Sequence, residues 1–567
     1  MKRKIFVIIA AFLLITTGCS NFLTEDNKSN TTADDYYSTA EGYTALVNSC
    51  YSSLRDVFGG VTVSSSGSGS LNGIPELFEG GTDLFQLYVP STKTSSGGNG
   101  LETYQNLGAT DPVVLLFYTN VYAAIKRCND AIHYGDNQDP ARVAEVRFLR
   151  AFYYFQLVQQ FGDVALDTTY ISSPVSNYPR AASKDVYSYI ISEMEDVLPA
   201  LPATSDPGRV NQRVVNHYLA LVYLTRGYDT NSGGSPADFT KAISYATTAI
   251  AGQGLTLDLE KDVFWPGNDD NAEVLFSVQY SAASLASTSA GNAQGGYFSP
   301  YYGGSDASVG DGIPYINSIF RPTVRLYRLM TADPNDTRFA ETFMQTLYGT
   351  STQKLSFYSY FTASPKMTTV AIYYPAPGIP FDSNAWVDID PANRANTLIL
   401  NPDNGDGSYS NWMNVTNNMP YYPGFKKFAS PGTIFNATSS VRSIFLARLA
   451  ETYLIRAEAE INSGDAASAA SDINVVRTRS NASPITASQA TIDFLLDERA
   501  RELAGEYHRW YDLKRTGKLT TYVPMYNPDV PDASYMKGND GQYKTLRPIP
   551  QNAINLNGAT VTQNPGY

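Results

Sequence analysis

Apolar residues recur at helical spacing through much of the chain. Phe148, Ala151, Phe152, Phe155 and Val158 form one stripe of a helix over about 140–161, and Leu149, Tyr153 and Leu157 form a second. A helix apolar on two faces is buried between neighbours. Similar patterning predicts helices from Glu41 to Phe58, Asp111 to about Tyr134, Ser183 to Leu198, Val210 to Tyr228 and Pro236 to Ala251. Ser183 is the expected N-cap of its helix, and Pro112 suits a first helical turn. From Gly252 to about Ser440 the character changes. Gly, Pro, Asn, Ser and Tyr dominate, and the run Val274 to Val278 predicts a short strand. Structured loops of this length usually carry function.

Helical pairing resumes at Val441. Leu446, Ala450, Tyr453, Leu454, Ala457 and Ile461 share a face, Asn462-Ser463-Gly464-Asp465 makes a turn with Asp465 as N-cap, and Ala466, Ala470, Ile473 and Val476 return. A helix, a tight turn and a second helix with small residues at the crossing resemble a degenerate tetratricopeptide repeat. The predicted fold is mostly α: a tetratricopeptide-like α-superhelix of four helix pairs, with a large loop-rich insertion carrying a few short strands. The expected segments are 1–18, a leader; 19–251, an N-terminal helical region; 252–440, the insertion; and 441–567, a C-terminal helical region.

The leader sharpens the picture. Lys2, Arg3 and Lys4 precede an apolar run from Ile5 to Ile15, and Gly18-Cys19-Ser20 follows. The run suits a signal-peptide core and is too short to span a bilayer. A small residue before a cysteine is the pattern of a bacterial lipoprotein signal, so Cys19 is expected to carry lipid and tether the mature chain to a membrane. The competing reading is an ordinary secretory signal with an incidental cysteine. Ser20 to Thr32 is polar and reads as a tether.

Charge narrows the partners. The 567 residues carry a net charge of −13, and loss of the basic leader makes the remainder more acidic. An acidic surface repels phosphate backbones, so no nucleic-acid partner is expected. His133, His217 and His508 share no ligand spacing, so no metal site or cofactor is expected. Cys50 and Cys128 could pair in an oxidising compartment or remain buried thiols. The near-dinucleotide loop Gly67 to Gly73 has its third glycine out of place, and Asn401 to Gly407 fails the alternation of a calcium loop. No nucleophile elbow, phosphate loop or zinc-protease motif occurs.

Four segments together resemble one family. Ala144-Glu145-Val146-Arg147-Phe148-Leu149-Arg150-Ala151-Phe152-Tyr153-Tyr154-Phe155, followed by Phe161-Gly162-Asp163-Val164, is similar to the N-terminal signature of the SusD/RagB family, surface lipoproteins of glycan-uptake systems in Gram-negative bacteria. The stretch from Asp497 to Gly517, with Trp510-Tyr511-Asp512-Leu513-Lys514-Arg515, resembles its C-terminal signature. Arg547-Pro548-Ile549-Pro550 and Gln563-Asn564-Pro565-Gly566-Tyr567 resemble its closing motif. The resemblance implies a non-catalytic glycan binder, lipid-anchored on the outer membrane and facing out, that delivers oligosaccharide to a TonB-dependent transporter. A glycoside hydrolase on a helical scaffold and a tetratricopeptide-type peptide binder are the alternatives. Glu498, Arg501, Glu502 and Arg509 fall at spacings that let opposite charges meet along a helix, a structural role rather than a catalytic one. Trp510 and Leu513 are expected to pack that helix down.

A sugar needs a flat ring to stack on and side chains to hold its hydroxyls. Two loops meet that demand, at points where family members carry binding aromatics. The first holds Asp83, Tyr88, Tyr104 and Asn106. The second holds Asn292, Gln294, Tyr297, Tyr301 and Tyr302, just before Arg321-Pro322-Thr323. Trp265, Trp386 and Trp412 are reserve candidates, with Trp265 read as core after Val263 and Phe264.

Overall fold

The computed structural model describes residues 32–567 apart from 64–68, 89–93, 136–137, 174, 176, 282–290, 299–318, 349–369, 379–380, 383–396, 415–421, 431–439 and 558–560. Residues 1–46 and 47–567 cluster as two compact units. In the first, the short helix Ala33–Tyr37 is capped by the Thr32 hydroxyl, which accepts from the Asp35 N–H at 3.1 Å. Cys19 and the leader lie outside the described residues.

Four helix pairs make the scaffold. They are α1 (Ala40–Phe58) with α2 (Pro112–His133), joined where Asn120 donates to Asp56 O and Arg127 to the Ser53 hydroxyl, then α3 (Pro140–Phe161) with α4 (Ser183–Val197), α5 (Gln212–Gly227) with α6 (Pro236–Ile250), and α7 (Leu449–Asn462) with α8 (Ala466–Arg479). Pair follows pair, α2 on α3 and α4 on α5. The last junction spans the insertion: α6 packs on α7, and Ile250 shares a buried cluster with Leu449, Leu454 and Ile473. The starts are built by short polar side chains. Asp111 accepts from the N–H of Val113 and Val114, Asn211 from Val214 and Asp465 from Ser468, satisfying orphan donors of each first turn. The two stripes of α3 are fully internal; Phe148, Phe152, Phe155 and Leu157 are at most 1% exposed.

Two expectations need correction. Ala182, not Ser183, occupies the N-cap of α4, without a side-chain cap; the Ser183 N–H donates instead to Asp163 Oδ1 at 2.7 Å. Leu446 lies on a strand rather than a helix. Ile444–Arg448 pairs antiparallel with Val274–Val278, and α7 begins only after extended Arg448. Every residue from Ile444 to Arg448 is buried, a continuous run that periodicity alone does not separate from a buried helix. Cys50 and Cys128 are both buried and not joined by a disulfide, and burial with the neighbouring Cys50 pushes the Cys128 thiol up.

The C-terminal charges are the main surprise of the interior. Helix α9 (Ile492–Leu503) and helix α10 (Arg509–Arg515) carry Glu498, Glu502, Arg499 and Arg509, all at most 3% exposed. One expected in-helix contact occurs, Arg501 to Glu498 at 2.9 Å. The others cross the fold. Glu498 meets Arg338 at 2.8 Å and Arg477 at 2.8 Å; Glu502 meets Arg448 at 3.1 Å and also Arg479. Arg448 in turn reaches Glu506 at 2.7 Å and Glu273 at 2.5 Å. This network ties the end of the insertion to the scaffold. Trp510 and Leu513 are fully buried beside it.

Candidate ligand-binding site

The two loops singled out in the sequence meet in one ladder. Strand β1 (Phe85–Leu87) pairs antiparallel with β2 (Phe320–Pro322), with Gln86 opposite Arg321. Tyr88 N–H extends the pairing to Ile319 O at 3.0 Å, and Thr323 N–H to Leu84 O at 2.8 Å. Phe85, Gln86 and Leu87 point alternately to the two faces of the strand, and all three are buried. Phe85 packs against Phe298 and Phe425, with ring centroids 4.8 and 5.6 Å away.

Tyr88 is half-buried at the edge of this ladder, its ring 5.7 Å from that of Tyr422 and tilted by 50°. Gln86 Nε2 donates to Pro322 O at 3.3 Å. The Leu87 N–H donates to Asp529 Oδ2 at 2.6 Å. Burial raises the Asp529 carboxyl, against the pull of that N–H and of Arg321. Arg321 donates to Met413 O at 2.9 Å and to Gln86 Oε1 at 3.2 Å, and burial lowers its pKa. Tyr88 is the ring left partly open, Tyr422 is buried against it, and amide, carboxyl and guanidinium groups lie behind, so Tyr88 can offer a face to the apolar side of a sugar.

Several predicted residues serve the scaffold instead. Asp83 is fully buried, held by both Arg509 and Arg325. Tyr104 is fully buried in a left-handed conformation at φ 60°, and its hydroxyl donates to Gly81 O at 2.9 Å. Tyr297 is fully buried; its hydroxyl donates to Glu76 Oε1 at 3.2 Å and accepts from the Gly73 N–H at 2.9 Å. Asn292 and Gln294 are internal, donating to Arg442 O and Gly505 O. None of these five presents a free surface, because each polar tip is satisfied inside the fold. Trp412 is likewise core, with its indole N–H donating to Leu400 O at 2.9 Å, whereas Trp265 is half-buried. Asn106 is exposed, in a left-handed turn at φ 56°. Tyr301, Tyr302 and Trp386 lie outside the described residues.

Sequence reading missed Gln86, Tyr422, Met413 and Asp529, and it used Arg321 only as a marker. The strand-like alternation before Tyr88 was the one local signal available. The others arrive from distant segments.

The chain matches known proteins in sequence and in fold. A model of the SusD family matches residues 273–567, and a model described as starch-binding and associating with the outer membrane matches residues 78–224. SusD-like protein P2 of Formosa agariphila is 25% identical over 593 aligned residues, covering 100% of both chains. The starch-binding protein SusD of Bacteroides thetaiotaomicron is 26% identical over 75% of this chain and 72% of its own. A crystal structure of a SusD homolog from Bacteroides thetaiotaomicron superposes with a TM-score of 0.69 at 19% identity, over 95% of this chain and 100% of that one.

Proposed function

Because the chain belongs to the SusD family, we propose that it is a cell-surface glycan-binding protein that captures oligosaccharide or polysaccharide for uptake. Lipid on Cys19 anchors it to the outer membrane, facing out, and a partner TonB-dependent transporter receives the bound glycan. Likeness to a starch-binding protein and to a model described as associating with the outer membrane supports this reading. Among the described residues, no helix is long and apolar enough to cross a membrane.

The observation that carries the proposal is the convergence of two tyrosine-rich loops on one ladder. Residues hundreds of positions apart in sequence bring Tyr88 and Tyr422 to one edge, above Gln86 and Arg321. A site assembled this way is preorganised, which reduces the ordering needed on binding. Tyr88, Asn106, Tyr301 and Tyr302 are the ligand contacts that remain from the sequence reading, with buried Tyr422 supporting the Tyr88 ring.

A polysaccharide screen by affinity electrophoresis tests the proposal. A subset of soluble glycans is expected to retard the protein without release of reducing ends. Release of reducing sugar would favour the hydrolase, and indifference to every glycan would remove the binding function. Delivery is tested by co-purification with the neighbouring transporter in mild detergent, where a complex is expected.

A further inference from the structure

Most large buried cations in this fold have an anion. Arg338, Arg448, Arg499, Arg509 and Arg515 all reach carboxylates at 2.5–2.8 Å. Arg547 instead lies over the Trp510 ring, 4.3 Å from its centroid. Among the described residues, Arg321 has neither kind of partner. It is 6% exposed, its hydrogen bonds there go to the neutral acceptors Met413 O and Gln86 Oε1, and its Nε finds no partner among them. The carboxyl group that acts on it is Asp529. That carboxyl is itself engaged by the Leu87 N–H, and burial favours its protonated form. A guanidinium removed from water without a counter-charge is costly. Here the cost falls at the ladder that holds Tyr88, directly opposite Gln86.

We infer that the glycan bound at the Tyr88 edge is acidic, and that Arg321 supplies the positive charge that selects a carboxylate- or sulfate-bearing sugar over its neutral counterpart. The inference rests on the glycan-binding reading above and specifies its ligand class. Half-buried Tyr88 contributes a flat face for the ring carbons, and buried Tyr422 backs it. Arg321, one layer behind, acts through a low-dielectric interior where a single charge is felt strongly. A charged ligand group in reach would complete the pairing that the fold leaves open. The protein as a whole is acidic, at −13, so its surface does not gather polyanions. Selectivity for an acidic sugar has to come from a local cation, and Arg321 is placed to provide it.

The test is isothermal titration of the full chain with neutral and acidic polysaccharides that include matched pairs. Suitable pairs are polygalacturonate with its methyl ester, and κ-carrageenan with its desulfated form. The two pairs separate carboxylate from sulfate. At least one acidic member is expected to bind about tenfold or more tighter than its neutral partner, the range of a charge-assisted contact. Added sodium chloride should weaken that arm alone. Arg321→Gln should bring the pair to within about threefold, and Arg321→Lys should retain part of the preference. Equal affinity within both pairs, or binding confined to neutral glycans, would overturn the charge assignment while leaving glycan binding intact. A preference unchanged in folded Arg321→Gln would also overturn it. If that variant does not fold, the wild-type pairs and their salt dependence decide the matter alone. Binding to no glycan of either kind would remove the function and this inference together.

Discussion

Arg509 grips both carboxylate oxygens of Asp83, Nε to Oδ1 and Nη2 to Oδ2, each at 2.7 Å across 426 residues of sequence. Arg325 approaches the same carboxylate at 2.9 Å and is sandwiched by Tyr526, 3.8 Å from its ring centroid. The pair clamps the first loop to the C-terminal signature helix just before β1 begins at Phe85. It therefore sets where Tyr88 emerges.

Removing one partner of a fully buried ion pair leaves an uncompensated charge. Asp83→Ala is expected to cost about 3–5 kcal/mol of stability. Denaturant unfolding checks this, and a loss under 1 kcal/mol would mean that Asp512, Asp497 and solvent compensate Arg509. The second expectation is functional. Wherever the variant still folds, glycan affinity should fall as well, because the ladder loses its anchor.

Phe152 tests the two-sided helix. Its ring lies 5.1 Å from Tyr218 on α5 and 6.0 Å from Phe58 on α1, so one side chain joins three helices. Phe152→Ala should destabilise by about 3–5 kcal/mol through lost burial and a residual cavity. A near-neutral substitution would mean that α3 is not the core of the scaffold.

Stability should depend on pH from two sides. Burial alone would raise Glu498, but Arg338, Arg501 and Arg477 override it and hold the carboxyl down at about 2. A depressed folded pKa gives stability that is present above the unfolded value, near 4.5, and lost as pH falls toward 2. Glu460 behaves oppositely. Burial and Asp472 push it up to about 8, so the native state holds its proton longer than the unfolded chain. Its contribution shrinks as pH rises from about 4.5 to 8. Glu460→Gln should therefore raise Tm more at pH 8 than at pH 4.5. An equal shift at both pH values would contradict the assignment.

Cys19 sets location. Cys19→Ala should release the protein from the outer membrane or leave an unprocessed precursor, read by fractionation and mass. A processed, membrane-bound variant would rule out the lipid anchor.

Helix-level architecture was largely legible because 3.6-residue periodicity and caps are local. The boundaries at Phe58 and Phe161 follow from the glycines that succeed them, Gly59 and Gly162. Leu446 was misplaced because a continuous buried run has no period to read. The site was legible only as two regions. Tyr88 was identifiable from its polar, loop-rich setting, yet Tyr104 and Tyr297 have the same local setting and are buried. What separates them is tertiary: Gly81 O, Glu76 and the Gly73 N–H wait for their hydroxyls inside the fold. The buried network on Glu498 and Glu502 was read as in-helix pairing because spacing along a helix reveals only neighbours on that helix. Its main partners, Arg338, Arg448 and Arg479, come from elsewhere.

The central claim is that the Tyr88 edge of the ladder binds glycan. Isothermal titration of wild type and Tyr88→Ala, with a glycan that the wild type binds, tests it most directly. The expected result is a loss of about 1–2 kcal/mol in binding, at the upper end of an aromatic contact, with Tm unchanged because Tyr88 is only half-buried. A folded Tyr88→Ala protein that binds with wild-type affinity would contradict the claim and move the site elsewhere.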